Sequence, residues 1–174
     1  MTQSLADLWS LFDAPAPTLI VITGPSGAGK TTWCAELATQ ARERGLRIAG
    51  LLSPGVFADG HKWAIDVVDL ATGTRRRLAQ RRASPDPTSP TRNWQFDDDV
   101  LAWGGAIVTA QGPCDLLIVD ELGPLELLHG KGWHQALPLF ERRAYRLACA
   151  VVRPSLLAHF TARFPAAAII DLGR

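Results

Sequence analysis

A stretch of eight residues near the N-terminus has the composition and spacing of a phosphate-binding loop. Residues 24–31 read Gly-Pro-Ser-Gly-Ala-Gly-Lys-Thr and match the pattern G-x-x-x-x-G-K-[ST], the P-loop or Walker A motif. Glycines let the backbone turn so that successive N–H groups point at one anion. The lysine would reach the β- and γ-phosphates of a nucleotide, and the threonine hydroxyl would bind Mg²⁺. The predicted nucleotide-binding residues are Gly24, Pro25, Ser26, Gly27, Ala28, Gly29, Lys30, Thr31 and Thr32.

The segments on either side of this loop have the patterns that the motif requires. The apolar run of residues 19–22 predicts a buried strand, and residues 32–44 have a helical pattern that ends at Gly45. A helix that begins at the loop places the positive end of its dipole at the phosphates. The chain has three lysines and fifteen arginines, so a lysine at position 30 is not explained by composition.

A pair of carboxylates follows a second buried apolar run, residues 116–119. We interpret Asp120 as the Walker B aspartate, the residue that holds the water shell of Mg²⁺ in P-loop proteins. Glu121, one residue further, would face the phosphates and polarise a water for attack on the γ-phosphorus. The alternative interpretation of Asp120 is an aspartate that caps a turn at the end of a strand. We predict Thr31 and Asp120 as metal ligands and Glu121 as a catalytic residue, together with Lys30.

The Asp-Glu pair resembles the glutamate-assisted branch of P-loop proteins, which contains the ABC, AAA and RecA-type ATPases. In that branch another strand lies between the P-loop strand and the Asp-Glu strand. The resemblance assigns this place to residues 147–152, so that Arg153 would emerge between Lys30 and Glu121. An arginine there would stabilise charge on the γ-phosphate and is a third predicted catalytic residue. The equal alternative is a surface arginine before Pro154.

Strand and helix patterns alternate along the rest of the chain, which indicates an α/β fold with a mostly parallel sheet covered on both faces. With the P-loop, this predicts a three-layer P-loop NTPase sandwich. The further predicted strands cover 47–52, 147–152 and 166–171, and the further helices cover 97–110, 133–142 and 154–164. Asp97 is predicted to cap the first of these helices, and Pro138 to kink the second.

A length of 174 residues predicts a single domain, residues 1–174. Three segments are distinguished within it. Residues 1–14 contain a short amphipathic helix that packs on the body, with an interaction surface as the less favoured alternative. Residues 56–82 alternate with period two on either side of a turn at 71–73 and predict an antiparallel edge hairpin. Residues 83–93 hold three prolines and predict a mobile loop.

Composition argues against several classes of protein, although it does not exclude nucleic-acid binding. The net charge of +1 provides no overall attraction for nucleic acid or membranes. The three cysteines lack a C-x-x-C pattern, and the N-terminus lacks a secretory signal, so we expect a protein of the reducing cytoplasm. No apolar stretch is long enough for a membrane span. We expect a monomer whose partner is its nucleotide substrate.

One segment departs from the overall charge balance. Residues 73–92 carry six arginines and one aspartate, a local net charge of +5. This segment could bind phosphates or RNA, but a solvated face of the hairpin is favoured because few aromatic residues lie among the arginines.

Residues 116–127, which read Leu-Leu-Ile-Val-Asp-Glu-Leu-Gly-Pro-Leu-Glu-Leu, resemble a known family. It is the small nucleoside-triphosphatase family of thermophilic archaea and bacteria, whose animal members are called cancer-related nucleoside triphosphatase. The P-loop and the Val-Asp-Leu-Ala-Thr-Gly turn of residues 68–73 match the same family, and the resemblance covers most of residues 18–172. It implies slow Mg²⁺-dependent hydrolysis of NTPs to NDP and phosphate, with relaxed base preference. Glu126 matches a family position, where we expect it to hold the loop.

The sequence also departs from this family. A Pro-Glu-Val-Arg segment that the family often has after its second strand is here Pro-Gly-Val-Phe, residues 54–57, without either charge. Any substrate or metal contact from those two charges is therefore absent.

Two other functions stay open at this point. A kinase for a nucleotide or small metabolite would also use a P-loop, with the arginines of residues 73–92 as a phosphate-clamping lid. A nucleotide-controlled module that binds RNA or a protein would use the basic hairpin and the N-terminal helix as its contact surfaces.

Overall fold

The computed structural model describes residues 5–89 and 91–173. Predictions that fall on residues 1–4, at the start of the N-terminal segment, and on Pro90, in the predicted loop, lie outside the described residues. The described strands are β1 (Thr18–Thr23), β2 (Ile48–Leu52), β3 (Gly55–Ala58), β4 (His61–Asp69), β5 (Arg75–Arg81), β6 (Trp94–Phe96), β7 (Cys114–Leu122), β8 (Tyr145–Val152) and β9 (Ala168–Asp171). The described helices are α1 (Leu5–Phe12), α2 (Lys30–Glu43), α3 (Asp98–Ala110), α4 (Pro124–Leu127), α5 (Ala136–Arg142) and α6 (Leu157–Arg163).

All these strands belong to one sheet with the order β6-β5-β4-β2-β7-β8-β1-β9. Strand β3 pairs with residues 61–65 of β4, whereas β2 pairs with residues 68 and 69 of that strand. The strands β2, β7, β8, β1 and β9 run parallel to one another. The strands β3 to β6 are antiparallel and form an extension at the β2 side of the parallel part. Strand β8 lies between the P-loop strand β1 and the Asp-Glu strand β7, as the sequence predicted. The α/β fold class with a mostly parallel sheet is confirmed.

Helices cover both faces of the parallel part, because its strands are apolar on both sides. Helices α1 and α2 cover one face, where Ile20, Ile22 and Ile118 of the sheet contact Cys34 and Leu37 of α2. Helices α3, α5 and α6 cover the other face, and their aromatic residues Phe140 and Phe160 pack there. The carboxyl ends of the parallel strands therefore meet at one edge between two packed layers, which is where ligands bind in open α/β sheets.

The N-terminal helix α1 packs on the body, as predicted. Leu8 and Phe12 are buried against α2 and β8. The Trp9 indole donates a hydrogen bond to Gln40 of α2 and lies under the Arg44 guanidinium, 3.7 Å from the ring centroid. Among the described residues, no helix is long and apolar enough to cross a membrane.

The antiparallel extension has more strands than the predicted hairpin of residues 56–82. Strand β3 starts at Gly55, and a turn at Asp59-Gly60, where both residues have positive φ angles, joins it to β4. An Asp-Gly pair between two strands is a strong signal for a two-residue hairpin turn, and our prediction overlooked it. Strand β6 adds to the outer side of β5 through pairs such as Gln80 with Gln95. The described residues between β5 and β6 form a loop, whose mobility stays a prediction.

Two helix predictions have different outcomes. The Asp97 side chain accepts the Val100 N–H at 3.1 Å, so the predicted cap of α3 is confirmed. The predicted helix of residues 133–142 was wrong at its start, because α5 begins at Ala136. Pro138 lies in the first turn of α5, where backbone N–H groups have no helical partner, and it does not need to kink the helix.

Candidate active site

The predicted P-loop joins β1 to α2 with the backbone conformation that a phosphate cradle requires. Gly27 and Gly29 have φ angles of 84° and 83°, which residues with a side chain rarely adopt. Helix α2 begins at Lys30, directly after Gly29. Thr32 is exposed on the first turn of this helix. The backbone N–H groups and the helix start are therefore available to an anion at this edge of the sheet.

The Lys30 ammonium folds back over the loop. Its Nζ atom donates to the Gly24 and Pro25 carbonyl oxygens at 2.8 and 2.7 Å. Burial lowers the pKa of Lys30, and the nearby Arg153 acts in the same direction while Glu121 opposes it. This ammonium lies among the charges of Glu121, Arg153 and Asp120, which are the other residues of the predicted site.

Asp120 is the most deeply buried charged group of the site, with 1% of its surface exposed. Its Oδ2 atom accepts the Ser53 N–H at 3.0 Å, whereas Oδ1 is buried without a hydrogen-bond partner. Burial raises the pKa of Asp120 to about 7, Glu121 adds to the rise, and Ser53 and Thr31 oppose it. Among the described residues no cation forms a salt bridge with this carboxylate, although the charge of Lys62 acts on it.

The residues at this point fit a divalent cation. The unpaired Asp120 Oδ1 and the nearby Thr31 hydroxyl are oxygen donors of the kind that Mg²⁺ prefers. The buried Thr23 hydroxyl at the end of β1 is also without a partner. A bound cation would supply the charge that burial of Asp120 leaves uncompensated.

Glu121 has a backbone conformation that the sequence did not predict. Its φ angle is 66°, and the pairing of β7 with β8 is irregular between Val119 and Leu122. A residue with a side chain in this left-handed region costs roughly 1–3 kcal/mol, and such residues cluster at active sites. The bulge turns the Glu121 side chain away from the regular alternation of the strand, so that it is only partly buried.

The Glu121 carboxylate is paired with Arg153. The Arg153 guanidinium, at the carboxyl end of β8, donates to Glu121 Oε1. Arg153 follows the strand that lies between β1 and β7, so it emerges where the sequence predicted, among the charges that act on Lys30. The structure thus brings Lys30, Asp120, Glu121 and Arg153 together at one edge.

Glu126 holds both ends of the loop that follows β7. Its Oε2 atom accepts the Gly123 N–H at 2.8 Å, and its Oε1 atom accepts the Trp133 N–H at 3.1 Å. The carboxylate is buried, and burial raises its pKa while these two hydrogen bonds oppose the rise. Gly132 has a φ angle of 57°, and a Cβ atom there would lie 2.0 Å from Glu126 Oε1. The expectation that Glu126 holds the loop agrees with these contacts.

Lys62 of β4 is a residue near the site that sequence reasoning missed. Its charge lowers the pKa values of both Lys30 and Asp120. Its side chain crosses Gly55, because a Cβ atom at Gly55 would lie 2.9 Å from Lys62 Cε. Two features of the sequence could have pointed to Lys62. It is one of only three lysines, and it lies beside Gly55, a position where the family often has glutamate.

The arginines of residues 73–92 are partly committed to contacts inside the extension. Arg75 and Arg77 both pair with the buried Asp66 of β4. Arg76 lies over the Trp103 ring, and Arg77 lies over the Trp63 ring at 4.5 Å from its centroid. Asp66 therefore bonds to two of the six arginines and neutralises one of their charges, which favours the interpretation as a solvated hairpin face.

Comparisons with known proteins agree with this geometry. A family model described as NTPase matches residues 19–148. A nucleoside-triphosphatase THEP1 from Methanopyrus kandleri is 34% identical over 111 residues, which are 64% of this chain and 61% of that protein. A nucleoside-triphosphatase THEP1 from Caldivirga maquilingensis is 30% identical over 110 residues, 63% of this chain and 61% of its own length. The matched stretch thus spans about three fifths of these curated relatives.

A solved structure shares the fold. The solution structure of a human cancer-related nucleoside triphosphatase superposes with a TM-score of 0.66 over 88% of each chain, at 21% identity.

Proposed function

The chain belongs to the NTPase family, and on that premise we propose that it hydrolyses nucleoside triphosphates to the diphosphate and phosphate with Mg²⁺. The observation that carries the proposal is the convergence of a P-loop lysine, a buried aspartate and an arginine-paired glutamate at one edge of the sheet. The curated relatives carry the name nucleoside-triphosphatase, which supports the same activity.

Each residue has a separate part in the proposed reaction. The P-loop N–H groups and Lys30 bind the β- and γ-phosphates. Glu121 orients a water and accepts its proton as the oxygen attacks the γ-phosphorus. Lys30 and Arg153 supply positive charge to the γ-phosphate oxygens as the bond to the β-phosphate breaks. Arg153 already lies at Glu121, so the nucleophile and the stabilising charge are held by neighbouring groups.

Thr31 and Asp120 would hold Mg²⁺, the former by its hydroxyl and the latter through Oδ1. The ion would neutralise charge that develops on the β- and γ-phosphates. The buried Asp120 does not act as the base, because its Oδ2 atom is occupied by the Ser53 N–H and its other oxygen is reserved for the metal.

The experiment is phosphate release from ATP, GTP, CTP and UTP, with Mg²⁺ and with excess chelator. We expect release from several of the four nucleotides that stops in chelator. Asp120→Asn should lose most of this activity, and Asp115→Asn, at the opposite end of the same strand, is the matched control. Release that continues undiminished in chelator, or in Asp120→Asn, would contradict the metal assignment.

A further inference from the structure

Strand β4 continues past the carboxyl edge of the parallel strands, where the candidate active site lies. Strand β2 ends at Leu52 and pairs with residues 68 and 69 of β4. Residues 61–65 of β4 lie beyond that point, because β4 is antiparallel to β2, and they pair there with β3. The first residues of β4 therefore project from the extension past the edge at which the site lies, and Lys62 is one of them.

A short segment connects this projecting part of β4 with the predicted magnesium site. The Ser53 N–H donates to Asp120 Oδ2 at 3.0 Å, and Gly55 follows two residues later. A Cβ atom at Gly55 would lie 2.9 Å from Lys62 Cε and 3.2 Å from Lys62 Cδ. Because Gly55 has no side chain, the lysine can pass over the backbone segment that also contacts Asp120.

Two further observations place the Lys62 ammonium near the site. Its Nζ atom is 5.4 Å from the centroid of the Trp94 ring, and Trp94 lines a cavity of about 260 Å³ together with Glu121. The charge of Lys62 also acts on Lys30 and on Asp120. The ammonium is therefore within electrostatic reach of the P-loop lysine and of the aspartate that would hold the metal.

Lys62 differs from the other two cations of the site in its contacts. Lys30 donates to two backbone carbonyl oxygens, and Arg153 donates to Glu121. In the part of the chain that the structure describes, no carboxylate forms a salt bridge with Lys62. Its side chain is half-buried, so the ammonium has lost part of its water without gaining a carboxylate. A bound anion would supply the missing partner.

The charge balance of the site gives this third cation a purpose. When all four groups are ionised, Lys30 and Arg153 only balance Asp120 and Glu121. A triphosphate still carries net negative charge after one Mg²⁺ has bound. The ammonium of Lys62 gives the site the positive charge that attracts this complex.

The order of the strands indicates which phosphate Lys62 meets. Along the sheet in the order β1, β8, β7, β2, β4, the P-loop follows β1 and Glu121 lies near the end of β7. The triphosphate would therefore extend from the P-loop towards Glu121 with its γ-phosphate foremost, as the attack on that phosphorus requires. Strand β4 lies on the far side of β7, so Lys62 approaches the γ-phosphate from the side opposite to the P-loop.

We propose that Lys62 binds the γ-phosphate of the nucleoside triphosphate and makes the site prefer triphosphates to diphosphates. Its Nζ atom donates to a γ-phosphate oxygen, which a diphosphate does not have. The diphosphate left after hydrolysis lacks this contact and therefore binds more weakly. This inference rests on the proposed function, because it places the nucleotide at the P-loop with its γ-phosphate at Glu121.

The test measures, by calorimetry in the presence of Mg²⁺, the binding of ADP and of the β,γ-imido analogue of ATP to the full chain. Lys62→Met keeps the apolar stem over Gly55 and removes the charge. We expect its affinity for the imido analogue to fall about tenfold or more, with affinity for ADP within about twofold of wild type. Lys62→Arg should restore most of the preference for the analogue, because it restores the charge. The exposed Lys131→Met is the matched control and should bind both ligands as wild type does.

The results distinguish failure of this inference from failure of the proposed function. An unchanged preference for the imido analogue in folded Lys62→Met, or an equal loss of affinity for both ligands, would overturn the contact with the γ-phosphate. Phosphate release by the wild-type chain would in that case leave the proposed hydrolysis standing. A wild-type chain that neither binds the analogue nor releases phosphate from any of the four nucleotides would overturn both. Far-ultraviolet circular dichroism checks folding, and Lys62→Gln gives the same comparison if Lys62→Met is not folded.

Discussion

The parallel part of the sheet and its antiparallel extension hold their charged residues in different ways. Strands β2 and β8 of the parallel part are buried almost throughout, and their charged neighbours stand only at strand ends. Strand β5 of the extension has a buried centre, Leu78 and Ala79, between exposed or half-exposed arginines. In the extension, charged side chains are paired locally, as Arg75 and Arg77 are with Asp66.

This difference indicates that the edge of the parallel strands carries the proposed chemistry, whereas the extension, apart from Lys62, supports the fold. At the parallel edge, Asp120 Oδ1 is unpaired and the Glu121 backbone is strained, which are features that a bound ligand would compensate. In the extension, Arg75 and Arg77 bond to Asp66 within the protein and need no ligand for this contact. Changes at the parallel edge should therefore reduce activity more than stability, and changes to internal contacts should do the reverse.

The largest effect is expected at Lys30. Lys30→Ala removes the ammonium that serves both the bound nucleotide and the transition state, so kcat/KM should fall by about 10³-fold or more. Steady-state phosphate release and nucleotide binding by calorimetry measure the two contributions. The exposed Lys131, changed to Ala, is the matched control. Equal losses in the two variants would contradict a specific role for Lys30.

Arg153→Gln should reduce kcat by about 10²-fold, because one donor to the developing charge is lost. Nucleotide affinity should change much less, since the P-loop is intact. Arg163→Gln serves as control, as Arg163 also pairs with a glutamate, Glu141, but lies on α6 away from the site. A normal kcat in Arg153→Gln would restore the alternative of a surface arginine before a proline.

Glu126→Gln tests an internal contact near the site. A carboxyl group keeps acceptor capacity on both oxygens even when it is protonated, whereas an amide has one oxygen and one NH₂ donor. One of the Gly123 and Trp133 N–H groups therefore loses its partner whether or not Glu126 is protonated, at a cost of about 1–3 kcal/mol in unfolding free energy. The measurement is urea unfolding, with the exposed Glu43→Gln as control.

The difference in unfolding free energy between wild type and Glu126→Gln is expected to depend on pH. Burial raises the pKa of Glu126 above the usual 4.5, so the folded chain holds this proton more tightly than the unfolded chain. Its contribution to stability is fully present below pH 4.5 and is lost as the pH rises through the raised pKa. The stability difference between wild type and Glu126→Gln should therefore be greatest at acid pH and decrease towards neutrality. A difference that grows with pH would contradict the assignment.

Asp66→Asn in the extension should have the smallest effect, about 1 kcal/mol or less in unfolding free energy, because its arginine partners are 55% and 37% exposed. Basal phosphate release should stay near the wild-type value. Asp59→Asn in the adjoining turn is the control, because asparagine tolerates the positive φ angle there. A strong loss of activity in folded Asp66→Asn would show that the contacts of Asp66 take part in the chemistry.

Much of this arrangement could be predicted from local patterns. Three features depend only on residues that are close in sequence, and local patterns were enough to predict them. They are the P-loop, the buried strand before Asp120 and the Asp97 cap. The position of β8 between β1 and β7 was predicted from a resemblance, because strand order depends on contacts between distant segments.

The remaining features depend on tertiary contacts that no short pattern encodes. The left-handed backbone at Glu121 arises from the bulge between β7 and β8, and glutamate has no intrinsic preference for it. The approach of Lys62 to the site requires β4 to pack beside β2 and Gly55 to leave space. The cavity beside Glu121 is formed by segments as distant in sequence as Ile65 and Trp133.

We infer that Glu121 activates the nucleophile, whereas the P-loop binds the phosphates of the nucleotide. The most direct test is to measure ATP binding and single-turnover phosphate formation in Glu121→Gln, which keeps the size of the side chain and removes its basic oxygen. We expect ATP affinity within a few-fold of wild type and a phosphate-formation rate lower by about 10²–10⁴-fold. A single-turnover rate equal to that of wild type would contradict it.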